Sequence, residues 1–154
     1  MRSKSCPCGP TRDHGDWQPP TSGTAAASVS QLPTAAMVRL GAPHRRRGGR
    51  VRFPLLVESG EPFQALEFRI SYDVRSLRLV AARPVNDARN SLIQYNSKIP
   101  GMIAIAVASA EPIARGGGPI LALDFERRTS RPLVPPHVVT ASLDGRSAVV
   151  IGRD

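Results

Sequence analysis

In two stretches of this chain, Phe63–Val80 (FQALEFRISYDVRSLRLV) and Gly101–Glu126 (GMIAIAVASAEPIARGGGPILALDFE), apolar residues recur at every second position over strand-length runs. Successive side chains of a β-strand point to opposite faces, so strict alternation makes one wet face and one dry face. Such a strand is not stable alone. Its dry face needs a cover, and a second sheet with the same pattern supplies one.

Alternating segments of this kind start at Ala36. Ala36–Leu40 reads as a first strand. Arg50–Glu58 sets Val51, Phe53, Leu55 and Val57 on one face. Pro54 within it has no N–H for a ladder, so an edge position or a bulge is expected there. Gln64–Tyr72 turns Leu66, Phe68, Ile70 and Tyr72 inward, and Ala65, Glu67, Arg69 and Ser71 outward. After a turn begun by Asp73, Leu77–Ala82 sets Leu77, Leu79 and Ala81 on one face. Ser91–Lys98 follows, then Met102–Ser109, with Ile103, Ile105 and Val107 inward and Ala104, Ala106 and Ala108 outward. Beyond Gly116-Gly117-Gly118, Ile120–Glu126 turns Leu121, Leu123 and Phe125 inward. Val138–Leu143 and Ala148–Ile151 flank Asp144-Gly145, and Asp-Gly between apolar runs is the strongest short hairpin signal. About nine short strands at roughly eight- to twelve-residue spacing indicate an all-β sandwich.

Composition agrees with this. Fifteen Pro and thirteen Gly break the chain into short pieces, and aromatics are only 5%, so the core must be aliphatic. No apolar run approaches the roughly eighteen residues of a membrane-spanning helix. Residues 1–35 are polar and rich in Pro, Ala and Ser without apolar periodicity, and a disordered tail is expected. No apolar core of a signal peptide follows Arg2 and Lys4. Cys6 and Cys8 are the only cysteines. A single C-x-C, even with His14, does not complete a four-ligand zinc site, and no cofactor is expected.

The net charge is +9, and nearly all of the basic residues are Arg. Arg45, Arg46, Arg47, Arg50 and Arg52 form a cluster of the sort that binds phosphates. It surrounds a Gly48-Gly49 turn, with no recognition helix and no interleaved aromatics. It reads as a solvated basic loop, and nucleic acid is not an expected partner. Nor is an enzyme expected. His14 lies in the tail, and His44 and His137 lie in loops beside Arg or Pro. G-x-S-x-G, H-E-x-x-H and P-loop motifs are absent, and so is an EF-hand loop.

The residues Leu66-Glu67-Phe68, Tyr72-Asp73, Leu77 and Leu79, followed by Ile103–Pro112 (IAIAVASAEP) and Leu121–Glu126 (LALDFE), resemble the cohesin domain family in order and spacing. The resemblance covers residues 36–154. It implies a nine-stranded jelly-roll sandwich, a fold shared with certain cellulose-binding modules. It also implies a noncatalytic module that works outside the cell or at its surface, in assemblies that degrade polysaccharide. Cohesins bind dockerins, small helical modules that carry calcium, through the outer face of one sheet. Calcium is therefore expected on the partner and not on this chain.

By that resemblance the binding sheet contains Gln64–Tyr72, Ser91–Lys98, Met102–Ser109 and Ile120–Glu126. Ala65, Ala104, Ala106, Ala108 and Ala122 would then form a flat face that a helix can approach closely. Glu67, Arg69, Glu111 and Asp124 would supply polar contacts. Alanine is a poor strand former, so three outward alanines in one strand favour a docking role over filler. Type I cohesins carry Asn and Asp two positions apart, where this chain has Ala65 and Glu67; Glu67 can still accept a hydrogen bond and Ala65 cannot. Many members also add a strand after a Gly such as Gly152, so an unpaired edge is expected here. The alternative reading is a carbohydrate-binding module on the same sandwich. Only Phe63 and Tyr95 are expected to be exposed in the domain, with Trp17 in the tail, and these rings make a poor sugar platform.

Overall fold

Val51, Phe53, Leu55 and Val57 are each at most 3% exposed, and the residues between them are not buried, as alternation requires. The same parity holds through Leu66, Phe68 and Ile70, and through Ile103, Ile105 and Val107. These faces meet in a β-sandwich. The computed structural model describes residues 35–113 and 118–152. The tail expected over residues 1–35, with Cys6, Cys8, His14 and Trp17, lies outside the described residues apart from Ala35.

Eleven strands occur among the described residues. They are β1 (Met37–Leu40), β2 (His44–Arg45), β3 (Arg50–Glu58), β4 (Phe63–Ser71), β5 (Leu77–Pro84), β6 (Leu92–Asn96), β7 (Met102–Ile113), β8 (Pro119–Arg127), β9 (His137–Leu143), β10 (Arg146–Ser147) and β11 (Val149–Val150). A 3₁₀ turn, Asn86–Ala88, precedes β6. The count exceeds nine because β2 and β10 are two-residue pairings, too short to show any alternation. No helix among the described residues is long and apolar enough to cross a membrane.

The six-stranded sheet has the order β11-β1-β3-β8-β5, with β2 also paired to β3. The five-stranded sheet has the order β10-β9-β4-β7-β6. Between them lies an aliphatic core that includes Val38, Leu55, Leu66, Ile70, Leu77, Ile103, Leu121 and Leu123. Its aromatic centre is Phe125, edge-on to Phe53 at a centroid distance of 5.8 Å and tilted against Tyr72 at 5.6 Å.

Three local features differ from the expected pattern. Pro54 is in an interior strand and not at an edge. An irregularity of the kind given as the other possibility follows directly, where the β3–β8 register shifts between Leu55 and Leu56. Gly41 N–H donates to the Pro54 carbonyl at 2.7 Å, so Pro54 faces the break between β1 and β2, where its missing N–H removes no ladder bond. Approach at this break is close: a Cβ on Gly41 would stand 2.7 Å from both the Pro54 ring and Leu56. In β5 the pairing with β8 is irregular between Leu79 and Ala81. The parity therefore shifts by one, and Ala82, not Ala81, packs against the core.

The third difference is at the C-terminal end. Asp144 (φ 46°) and Gly145 (φ 78°) form the tight turn that the Asp-Gly pair predicts, because both central residues of a type I′ turn need positive φ. Only Arg146, Ser147 and the Ala148 N–H, which donates to the Ala141 carbonyl at 2.9 Å, bond back onto β9, however. The chain then leaves this sheet, and β11 pairs in parallel with β1 in the other one. Ala148–Ile151 is thus not one strand of a hairpin; it bridges the two sheets. β11 ends the order of its sheet, with an edge that no described strand covers.

Candidate docking face on the five-stranded sheet

The register of the five-stranded sheet arranges its outward residues in rows. β4 and β7 pair Glu67 with Ala106 and Arg69 with Ala104. β6 extends these rows with Gln94 and Asn96, and β9 extends them with Ser142 and Thr140. A third row runs Leu92, Ala108, Ala65. The central row therefore reads Gln94, Ala106, Glu67, Ser142, with Ser147 of β10 beyond. Five strands at about 4.8 Å spacing give a face about 19 Å wide, enough for one or two helices of about 10–12 Å diameter.

Ala104, Ala106 and Ala108 are exposed, as are Glu67 and Arg69, and Ala65 is half-buried. A shallow depression of about 470 Å³ covers the middle of this face, lined in part by Glu67, Arg69, Ala104, Ala106, Gln94 and Thr140. At the β6 side, Leu92 is 79% exposed, and Ile99 in the following turn is 65% exposed. The face thus joins small side chains, uncharged polar groups and an apolar rim. The Asp144 carboxylate secures one end by accepting the N–H groups of Gln64 and Ala65 at 3.0 and 2.7 Å.

Two residues expected on this face are elsewhere. β8 does not belong to this sheet; it is the inner strand between β3 and β5 of the other. Ala122 and Asp124 are therefore on the far side of the sandwich and are buried, at 4% and 6% exposure. Ala122 lies between Pro54 and Arg83, and Asp124 between Arg52 and Ala81. Arg52 reaches across to Asp124 and covers its carboxylate. β9 takes the position expected of β8, so Thr140 and Ser142 replace Ala122 and Asp124 on the face.

Glu111 is in a strand, because β7 continues past the expected end at Ser109 to Ile113. The β4–β7 register is irregular here: Ala65 pairs with Ala108, yet Phe63 pairs with Ile113. The intervening residues bulge, and Gln64 Nε2 donates to the Ala110 carbonyl within the bulge at 3.1 Å. Glu111 is exposed beyond the last regular row. Phe63, expected to be exposed, is 3% exposed, because this irregularity turns it toward the core. Tyr95, at 45%, is then the one exposed aromatic ring among the described residues, and a single ring is no sugar platform.

The outer face of the six-stranded sheet differs in character. All three ion pairs among the described residues are there: Arg39–Glu58, Arg52–Asp124 and Arg78–Glu126. Arg52 grips Asp124 through both oxygens, Nε to Oδ1 at 2.7 Å and Nη2 to Oδ2 at 2.9 Å. That hydrogen bonding and the nearby charge of Arg52, Arg83 and Arg46 outweigh burial and hold the Asp124 carboxyl below the usual carboxylate range. The Ser76 hydroxyl and the Arg75 N–H likewise lower Asp73, at the exposed turn between β4 and β5.

The Asp124 pairing predicts a pH dependence. An unfolded Asp titrates near pH ~3.9. With a lower folded value, the native state binds fewer protons through the acid range, so this contribution is complete above that pH and is lost as pH falls through the folded value. Asp124→Asn should cost about 1–3 kcal/mol at neutral pH. In acid the gap between its melting temperature and that of the wild type should close. A gap that stays constant down to pH ~2 would contradict this.

Neither a family model nor a curated protein sequence matches the chain. Solved structures do. A cohesin module from a family 33 glycoside hydrolase of Clostridium perfringens is 19% identical, at a TM-score of 0.59 over 76% of this chain and 91% of that one. The sixth cohesin of Acetivibrio cellulolyticus scaffoldin B, solved in complex with a mutant Cel5 dockerin, is 15% identical, at a TM-score of 0.58 over 77% and 94%. A non-cellulosomal cohesin from the hyperthermophilic archaeon Archaeoglobus fulgidus is 19% identical, at a TM-score of 0.54 over 75% and 83%. With two sheets of this order and outward rows of this register, the chain has a cohesin-like fold.

Proposed function

We propose that this chain is a noncatalytic docking module that holds a dockerin-like partner against the outer face of its five-stranded sheet, outside the cell or at its surface. One observation carries the reading, namely the contrast between the two outer faces. The six-stranded sheet pairs its own carboxylates with arginines across its strands. The five-stranded sheet presents exposed alanines, with Glu67 and Arg69 outside every one of those pairs. A surface of small side chains with unspent charges suits close approach by a helix, whose side chains supply the matching polar groups. The cohesin-like fold supports the same reading. Ala65, Glu67, Arg69, Ala104, Ala106 and Ala108 are the proposed contact residues, with Glu111 at the margin.

The partner's calcium provides the test. The full chain is immobilised and offered the secreted proteins of its source cells in calcium, then washed with chelator. The expected eluate is a protein with a helical module that carries calcium loops, while the melting temperature of the immobilised chain is the same in calcium and in chelator. A folded chain that releases nothing to chelator would overturn the dockerin reading.

A further inference from the structure

The outer face of the six-stranded sheet carries more positive charge than its own acids neutralise. Its three carboxylates are engaged: Glu58 by Arg39 at 3.3 Å, Asp124 by Arg52, and Glu126 by Arg78 Nε at 2.9 Å. Arg46, Arg47, Arg50 and Arg83 are outside these pairs. They are also gathered in one place. The β2–β3 hairpin turns at Gly48 and Gly49, both at positive φ, and the Arg46 N–H closes it onto the Arg50 carbonyl at 2.8 Å. Arg83 comes from β5, on the other side of β8.

These four arginines line a pocket of about 230 Å³ whose other lining residues are Arg52 and Asp124. Five arginines thus share this pocket with one carboxylate. Both oxygens of that carboxylate are taken by Arg52, and the charges of Arg83 and Arg46 also bear on it. Like charges held this close repel one another, and an anion between them relieves the repulsion. The planar guanidinium fork matches the oxygens of a phosphate group two at a time. No aromatic side chain lines the pocket, so a nucleobase has nothing to stack on and the phosphate charge is what is recognised.

We infer that Arg46, Arg47, Arg50 and Arg83 form a binding site for a multivalent phosphate-type oxyanion, on the face of the sandwich opposite the candidate docking face. The inference does not depend on the docking reading. Phosphate of this kind reaches the site either free in solution or on a lipid headgroup, and two probes separate the sources. One is inorganic tripolyphosphate, followed by calorimetry with the full chain. The other is phosphatidylcholine vesicles containing phosphatidate, followed by co-sedimentation.

Binding to either probe should weaken about tenfold or more in the double variant Arg46→Gln/Arg83→Gln. It should stay within about twofold of the wild type in Arg146→Gln, which removes one charge from β10 of the other sheet. It should also weaken as salt rises from about 0.01 to about 0.15 M, where the screening length falls from about 30 to about 8 Å. Arg46, Arg83 and Arg146 are exposed, so the variants should melt with the wild type. Tripolyphosphate binding alone identifies a soluble ligand, and vesicle binding identifies a headgroup. The inference is overturned if neither probe binds, if the double variant binds like the wild type, or if Arg146→Gln loses as much as the double variant.

Discussion

Ala106→Arg should abolish docking while leaving the fold as stable as before. Ala106 occupies the central row of the five-stranded sheet, between Gln94 on one side and Glu67 on the other, and it is exposed. An arginine there raises a long charged side chain from the middle of an otherwise low surface. A partner helix would be held off by its length, and pairing of the new guanidinium with Glu67 opposite would spend the carboxylate that the partner is proposed to meet. A loss of about a hundredfold in affinity or more is expected, as for a disrupted interface centre. Stability should change by about 0.5 kcal/mol or less, since the site is on the surface and outside the core. Ala106→Ser, which stays small, should bind close to wild type. If Ala106→Arg still captures the partner at wild-type affinity, the partner sits on some other surface.

Phe125→Ala should have the largest effect on stability. Phe125 is fully buried, with Phe53 edge-on and Tyr72 tilted against it. It belongs to β8, which is bonded on both sides, to β3 and β5, so the backbone around it has little freedom to close over a void. The lost ring and the remaining cavity together should cost about 3–5 kcal/mol. Domains of this kind have about 5–15 kcal/mol in total, so much of the stability would go. Urea unfolding should show a lower midpoint at an unchanged slope. Phe125→Leu keeps most of the volume and should cost less, about 1.5 kcal/mol or under. A cost for Phe125→Ala no larger than for Phe125→Leu would mean that the two sheets collapse into the vacated space.

Much of the candidate face was legible because the rule behind it is local. Ala104, Ala106 and Ala108 point outward because Ile103, Ile105 and Val107 point inward, and that relation needs no knowledge of the neighbouring strands. Thr140 and Ser142 went unassigned for the opposite reason. Their strand is apolar at Val138, Ala141 and Leu143, and the β4–β9 register is irregular between Arg69 and Ile70, so the outward positions of β9 do not follow simple alternation. Only pairing with Glu67 and Arg69 brings them onto the face.

By itself the sequence determined the longer strands, the inward residues wherever their pairing is regular, the Asp144-Gly145 turn and the sandwich, because each depends on a period of two or on the backbone freedom of adjacent residues. The parity shifts at Ala81, Phe63 and β9 come from irregular pairing with a neighbouring strand. Tertiary structure alone decided which sheet each strand joins. Leu121, Leu123 and Phe125 fill the core equally well from either side, so the alternation of β8 says nothing of its neighbours. The chain passes from the five-stranded sheet to the six-stranded one between Ile113 and Pro119, and this crossing takes Ala122 and Asp124 away from the alanine face. It also pairs Asp124 with Arg52, 72 residues distant in the chain. An ion pair of that kind depends on which strands lie side by side, and strand neighbours are set by how the whole core packs.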